Sequence, residues 1–195
     1  MIFERGYFDN YSVNESEIIK SLDKIRDFSA SSEYTYKPTV FLSHKHDDLK
    51  DLRGVVGVFE KYGAKIYIDS MDNKMPSETS GDTAKRIKKV IEHCKKFVLL
   101  ATEKAIESYW CNWELGIGDT HKYINNIAIL PMKDRGTYDH NYKGNEYLQI
   151  YPQITYNKGF TNIHGRYFEE GYYVEKPEDK NGTIYITELK QWLNQ

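Results

Sequence analysis

Cysteine is scarce in this chain of 195 residues: there are two, Cys94 and Cys111, at no metal-type spacing. With no export signal in view, both are expected to be reduced and buried rather than disulfide-bonded. Histidine is hardly better placed. His44 and His46 stand close together, but His93, His121, His140 and His164 lie at no supporting spacing, and a zinc site needs three or four ligands. No metal site is expected. Long apolar runs are lacking too, none approaching the roughly 18 residues of a membrane helix. The opening MIFERGYFDNYSVNESE carries acids and no apolar signal core, so it does not read as a secretory leader. The expectation is a cytoplasmic protein with no membrane contact. Neither charge sign is in excess: the net charge is −2 and the pI about 6.3, so no global field points to nucleic acid or anionic lipid. Internal repeats and low-complexity tracts are absent. What is abundant is tyrosine, with 17 residues, which suits half-buried positions and names no partner.

The length fits one ordinary domain, or one with a modest extension. Four short β-rich apolar runs recur: TVFLS (39–43), KIYID (65–69), KFVLLA (96–101) and NIAILPM (126–132). Nearly continuous apolar character marks strands buried on both faces. Their spacing leaves room for a crossover helix after each of the first three. DDLKDLRGVVGVFEKYG (47–63) places Leu49, Leu52, Val56 and Phe59 at helical spacing, and GDTAKRIKKVIEHC (81–94) repeats the pattern. TEKAIESYWCNWELGIGDTHKY (102–123) reads as a third helix with Thr102 as its N-cap. The sum predicts a doubly wound α/β fold, a mainly parallel five-stranded sheet with helices on both faces. Ahead of it, NESEIIKSLDKIRDF (14–28) is amphipathic, with Ile18, Ile19, Leu22, Ile25 and Phe28 on one face, and a polar linker follows. Residues 133–175 offer only a short helix near NEYLQIY and an irregular surface, while GTIYITELKQWL (182–193) reads as a strand, a helix, or one running into the other.

In an open parallel sheet, ligands bind at the carboxyl ends of the strands, near the switch in strand order. The first strand delivers Ser43, His44, Lys45 and His46 there; the second delivers Asp69 and the loop SMDNKMPSETS (70–80); the third delivers Ala101, Thr102 and Glu103. No glycine-rich phosphate loop follows the first strand, which excludes a P-loop or Rossmann cofactor site. On the third helix Trp110 and Glu114 are four apart and share a face, whereas Trp113 and Ile117 share another that reads as core. Taken alone, each residue also has a plain reading: His44 and His46 as caps or exposed residues, Asp69 as a loop cap, Glu114 as a surface charge.

In combination these stretches resemble a Toll/interleukin-1 receptor (TIR) domain of the bacterial kind, over about residues 38–132. VFLSHKHDD (40–48) is similar to the family's first box. IYIDSMDNKMPSETSGDTAKRIKKVIEHCKKFVLLAT (66–102) is similar to the next strand, the BB loop, the second helix and the third strand. SYWCNWEL (108–115) is similar to the Ser-x-Trp-Cys-x-x-Glu-Leu signature of enzymatic members. Residues 1–37 fall outside the resemblance and are expected to be an N-terminal amphipathic helix and linker; for 38–195 it implies a flavodoxin-like TIR domain, with an extended, irregular C-terminal part. It further implies NAD⁺ as substrate rather than cofactor, Glu114 as the catalytic glutamate, and His44, Lys45 and Trp110 around the substrate, to which the reading of the strand ends adds Ser43 and Asp69. His44 departs from the aromatic usual at its place, and its protonation near neutral pH is expected to matter. Other expectations follow from the same likeness. They are self-association through the 70–80 loop and a cyclic or conjugated ADP-ribose messenger acting on a separate effector, as in Thoeris-type antiphage defence. A non-catalytic TIR scaffold and a nucleoside deoxyribosyltransferase-like enzyme are the alternatives.

Overall fold

The computed structural model describes residues 2–19, 37–72, 80–136 and 145–195. Four strands form where the apolar runs lie: β2 (Thr39–Ser43), β3 (Lys65–Tyr67), β4 (Lys96–Ala101) and β5 (Ile127–Lys133). Every residue of β2 and β4 is buried, as strands covered on both faces require. These four pair in parallel in the order β3-β2-β4-β5, so the chain leaves β2 toward one neighbour and returns on its other side. That reversal lies at the carboxyl end of β2, at Ser43.

The sheet does not stop at five strands. It has eight and is mixed, which corrects the expected five-stranded, mainly parallel sheet. A two-residue β1 (Phe3–Glu4) adds in parallel beside Met132 and Lys133 at the end of β5. On the same side, β6 (Gln153–Thr161) joins β5 at Ile129, and β7 (Tyr167–Glu175) and β8 (Ile186–Glu188) follow antiparallel. The β6–β7 hairpin occupies a stretch expected to be irregular. Its turn is closed by Asn162, whose side-chain oxygen accepts from the backbone N–H of His164 and of Arg166, while Gly165 takes the left-handed φ of +76°.

Two helices match expectation closely: α1 (Leu49–Lys61) and α2 (Gly81–His93), the latter held by a reciprocal cap between Ser80 and Thr83. The third divides in two. Thr102 caps the short α3 (Glu103–Ile106), and Ser108 starts a fresh helix, α4 (Tyr109–Lys122), by accepting from the Cys111 N–H. Asn112 donates back to the Ile106 carbonyl across the break. A second N-cap residue this close to the first ends one helix and begins another.

The phase of α4 also differs from expectation. Its buried residues are Cys111, Glu114, Leu115, Gly118 and Lys122, whereas Trp113 is 37% exposed and Ile117 only half-buried. The cause is close approach. A Cβ on Gly118 would stand 3.0 Å from the Phe97 ring, so the helix approaches the sheet most closely at Gly118 and Trp113 turns outward.

One apolar core contains all of this and also takes in Phe3, Phe8 and Ile18. Residues 15–19 are helical, in line with the amphipathic reading; Leu22, Ile25 and Phe28 lie outside the described residues. The segment NEYLQIY contains a 3-10 turn, Glu146–Ile150, and β8 runs directly into α5 (Leu189–Asn194), which buries Leu189, Trp192 and Leu193. Both cysteines are free and buried. Among the described residues no helix is long and apolar enough to cross a membrane.

Candidate active site

The site begins where β2 ends. Ser43 is fully buried, and its hydroxyl donates to Glu114 Oε2 at 2.5 Å, joining the first strand's end to α4 across 71 residues of sequence. Glu114 is 1% exposed and, among the described residues, its other oxygen, Oε1, has no hydrogen-bond partner. Burial pushes the Glu114 carboxyl well above its ordinary value of 4.5, and the nearby Asp69 charge adds to the rise; Ser43 and Trp110 act the other way. Trp110, one turn earlier on α4, is half-buried and lies 5.0 Å from Trp113, ring centre to ring centre.

His44 is buried and spans two elements. Its Nδ1 lies 3.3 Å from the Leu42 carbonyl and 3.7 Å from Asp69 Oδ1, both acceptors, and its Nε2 lies 2.8 Å from the Ser70 hydroxyl. That assigns the ring proton to Nδ1 and leaves Nε2 to accept from Ser70. Burial outweighs the pull of Asp69 and lowers the imidazole below its ordinary 6.5, so the ring is neutral at neutral pH. The expected sensitivity of His44 near neutral pH is thereby displaced to more acidic conditions. Cys111 completes the contact between α4 and the strand end, its thiol donating to the His44 carbonyl at 3.3 Å. Burial raises that thiol to about 11, which leaves it protonated and inert as a nucleophile.

The structure therefore brings Ser43, His44, Asp69, Trp110 and Glu114 to one end of the sheet. Lys45 is half-buried beside them, but among the described residues no hydrogen bond or ion pair joins its ammonium to Glu114 or Asp69. Of the 70–80 loop only the root is described, residues 70–72 with 80; the expected self-association surface on 73–79 lies outside the described residues. The root itself is pinned. Asp72 is buried, accepts from the Tyr67 hydroxyl at 2.6 Å and pairs with Arg86 at 2.8 Å. Ser70, Asp72 and Arg86 carried little signal in the sequence, because Asp72 and Arg86 stand 14 residues apart and meet only in the folded protein. Cys111 was visible in the SYWC motif but not its grip on His44.

The family model described as TIR domain matches residues 40–161. The chain belongs to the TIR domain family. The likeness carried by the three boxes is met over a longer stretch than the boxes themselves, reaching through β6. One relative is a Bacillus cereus (strain MSX-D12) protein named probable 3′ cyclic ADP-D-ribose synthase ThsB′. It is 33% identical over 117 residues, 59% of this chain and 59% of the relative. Another, from Cytobacillus dafuensis, bears the name of a candidate cyclic ADP-D-ribose synthase. It is 28% identical over 115 residues, 56% of this chain and 30% of the relative. The matched stretch thus covers less than two thirds of the first relative's length and less than a third of the second's.

Proposed function

We propose that this TIR domain cleaves NAD⁺ at the nicotinamide–ribose bond, with Glu114 as the catalytic carboxylate. The observation that carries the reading is the Glu114 side chain itself: buried beside Trp110, anchored through Oε2 to Ser43, and unpartnered among the described residues at Oε1. Nicotinamide leaves as a neutral base, so bond breaking needs no general acid. It does need stabilisation of the oxocarbenium-like ribose left behind, as in glycoside hydrolysis. A carboxylate in a water-poor, aromatic-walled site supplies that, and the approach of a cationic pyridinium favours the ionised form of a group that burial biases toward its protonated form. Once nicotinamide departs, a hydroxyl attacks the anomeric carbon and its proton passes to Glu114, whose raised affinity for protons suits that task. With water as the nucleophile the product is ADP-ribose; with a hydroxyl of the same molecule it is a cyclic ADP-ribose.

The names of both relatives favour the cyclic outcome, and we read the product as a cyclic or conjugated ADP-ribose messenger. It would be made in the cytoplasm and act on a separate effector in antiphage defence. Mass spectrometry of NAD⁺ incubated with the pure protein tests this directly. Released nicotinamide together with a cyclic ADP-ribose is the expected result, abolished in Glu114→Gln. Intact NAD⁺ under all conditions returns the chain to a binding scaffold; transfer of deoxyribose between bases with NAD⁺ inert makes it deoxyribosyltransferase-like.

A further inference from the structure

Four of the tyrosines that crowd this sequence meet in one place, and it is not the candidate active site. Tyr11, from the turn after β1, Tyr62, at the end of α1, Tyr156 on β6 and Tyr172 on β7 wall a cavity of about 270 Å³. None of Ser43, His44, Asp69, Trp110 or Glu114 lines it. Tyr62 and Tyr172 meet at 89° and Tyr156 and Tyr172 at 66°, so the rings stand in different planes around one space. The floor is open at Gly171, where an added Cβ would find only the Tyr62 hydroxyl, at 3.7 Å.

Two charges sit at the rim, and both are exposed. Glu170 accepts a hydrogen bond from the Tyr156 hydroxyl, which aims its carboxylate along the tyrosine wall. Lys61 places its ammonium 5.5 Å over the centre of the Tyr11 ring. Aromatic faces attract cations through the ring quadrupole, and a carboxylate beside them deepens the attraction. The same faces and the same carboxylate repel an anion. The chain's own lysine shows the preference, since its ammonium has settled on one of the four rings. Roughly 150 Å³ is enough for a benzene-sized ligand, so the space admits a trimethylammonium group with a short tail.

We propose that this cavity is a binding site for a small organic cation bearing a quaternary or primary ammonium group, with Lys61 as a tethered competitor at its mouth. Calorimetric titration with choline chloride against 3,3-dimethylbutan-1-ol separates charge from shape, because the alcohol matches choline without its charge. Choline should bind at least tenfold more tightly. Lys61→Met should tighten choline binding several-fold by removing the competitor, and Glu170→Gln should weaken it several-fold. Gly171→Val puts a branched side chain into the space from a strand backbone that tolerates it, and should abolish binding at unchanged melting temperature. If that variant proves unstable, the Lys61 and Glu170 variants carry the test on their own. Sedimentation with phosphatidylcholine vesicles then distinguishes a lipid headgroup, which brings the protein down, from a free cation, which leaves it in solution. Equal binding of choline and the alcohol, weaker binding after Lys61→Met, or no binding of choline to either wild type or Lys61→Met would overturn the proposal.

Discussion

Glu114 sits where stability and chemistry pull in opposite directions. Its carboxyl is raised well above the ordinary 4.5, chiefly by burial and then by Asp69. Folding therefore takes up a proton between the unfolded and the raised folded value. The associated stability is fully present below the unfolded pKa and is lost as pH climbs through the folded one. Catalysis asks for the ionised form, which is the costly one. Glu114→Gln keeps the shape and removes the charge, so it should reduce NAD⁺ cleavage by at least about a hundredfold. It should also melt higher than wild type, by a margin that grows with pH across that window. Parallel assays and thermal melts over a pH series check both halves, and a variant that melts lower at every pH would contradict the assigned burial cost. Ser43→Ala tests the same balance from the partner's side. Its hydroxyl favours the ionised carboxylate, so its loss should move the acid limb of the kcat–pH profile to higher pH. An unshifted limb would mean that the carboxylate does not control turnover.

At the scale of elements, α4 shows how far a sequence can be read and where reading stops. The i, i+4 relation of Trp110 and Glu114 and the cap at Thr102 are local, set by spacing and by side-chain hydrogen bonds, and are legible in one dimension, whereas the second cap at Ser108, which divides the expected helix in two, is not. Nor is the helix's rotation on the sheet, because it is set by the fit of Gly118 against Phe97, a residue on another strand. Hence Trp113, an aromatic of the kind expected in a core, stands 37% exposed. Trp113→Ala should cost no more than about 1 kcal/mol, near the range of surface changes. Leu115→Ala, at a position 1% exposed, should cost about 2–5 kcal/mol. Denaturant midpoints compare the two, and a larger loss at Trp113 would show that the phase described is wrong. The β6–β7 hairpin escaped for a related reason. YFEEGYYVE mixes acids and glycine into a strand half exposed to solvent, so neither a continuous apolar run nor a clean alternation announces it. The strand end at Ser43 was legible because buried parallel strands are the strongest short signals in the chain; β3 stops at Tyr67, two residues short of the expected 65–69, so that Asp69 opens a 3-10 turn just beyond it. The contacts that His44 makes with Ser70 and Cys111 were not legible.

Over the whole molecule, residues 2–19, which precede the family match, share its core through Phe3, Phe8 and Ile18. Residues 2–13 run along α1 so closely that a Cβ on Gly57 would lie 1.8 Å from the Tyr11 carbonyl oxygen, and one on Gly54 2.3 Å from that of Phe8. Arg5 fastens this segment near the candidate site. It donates to Asp48 at 2.6 Å and Asp51 at 2.7 Å, both buried, and pairs with Asp134 at 2.7 Å. Asp48 also accepts from the Thr102 hydroxyl at 2.7 Å and closes the turn that leaves His44 and Lys45, its N–H donating to the Lys45 carbonyl at 2.8 Å. One guanidinium thus offsets two carboxylates that have almost no water. Arg5→Met should destabilise the protein by about 3 kcal/mol, toward the low end for breaking a buried ion pair because Arg5 keeps 29% of its side chain exposed. Adding Asp48→Asn and Asp51→Asn removes the stranded charges and should recover most of that loss. Gly57→Ala should displace the segment by sterics alone, with the charges intact. If the segment steadies the turn after β2, all three variants should lower kcat at temperatures far below melting, while a change confined to stability should leave kcat at wild type. Turnover measured at 15–20 °C beside the melting curves separates the two outcomes. An unchanged kcat in Gly57→Ala would limit the segment's part to holding the fold.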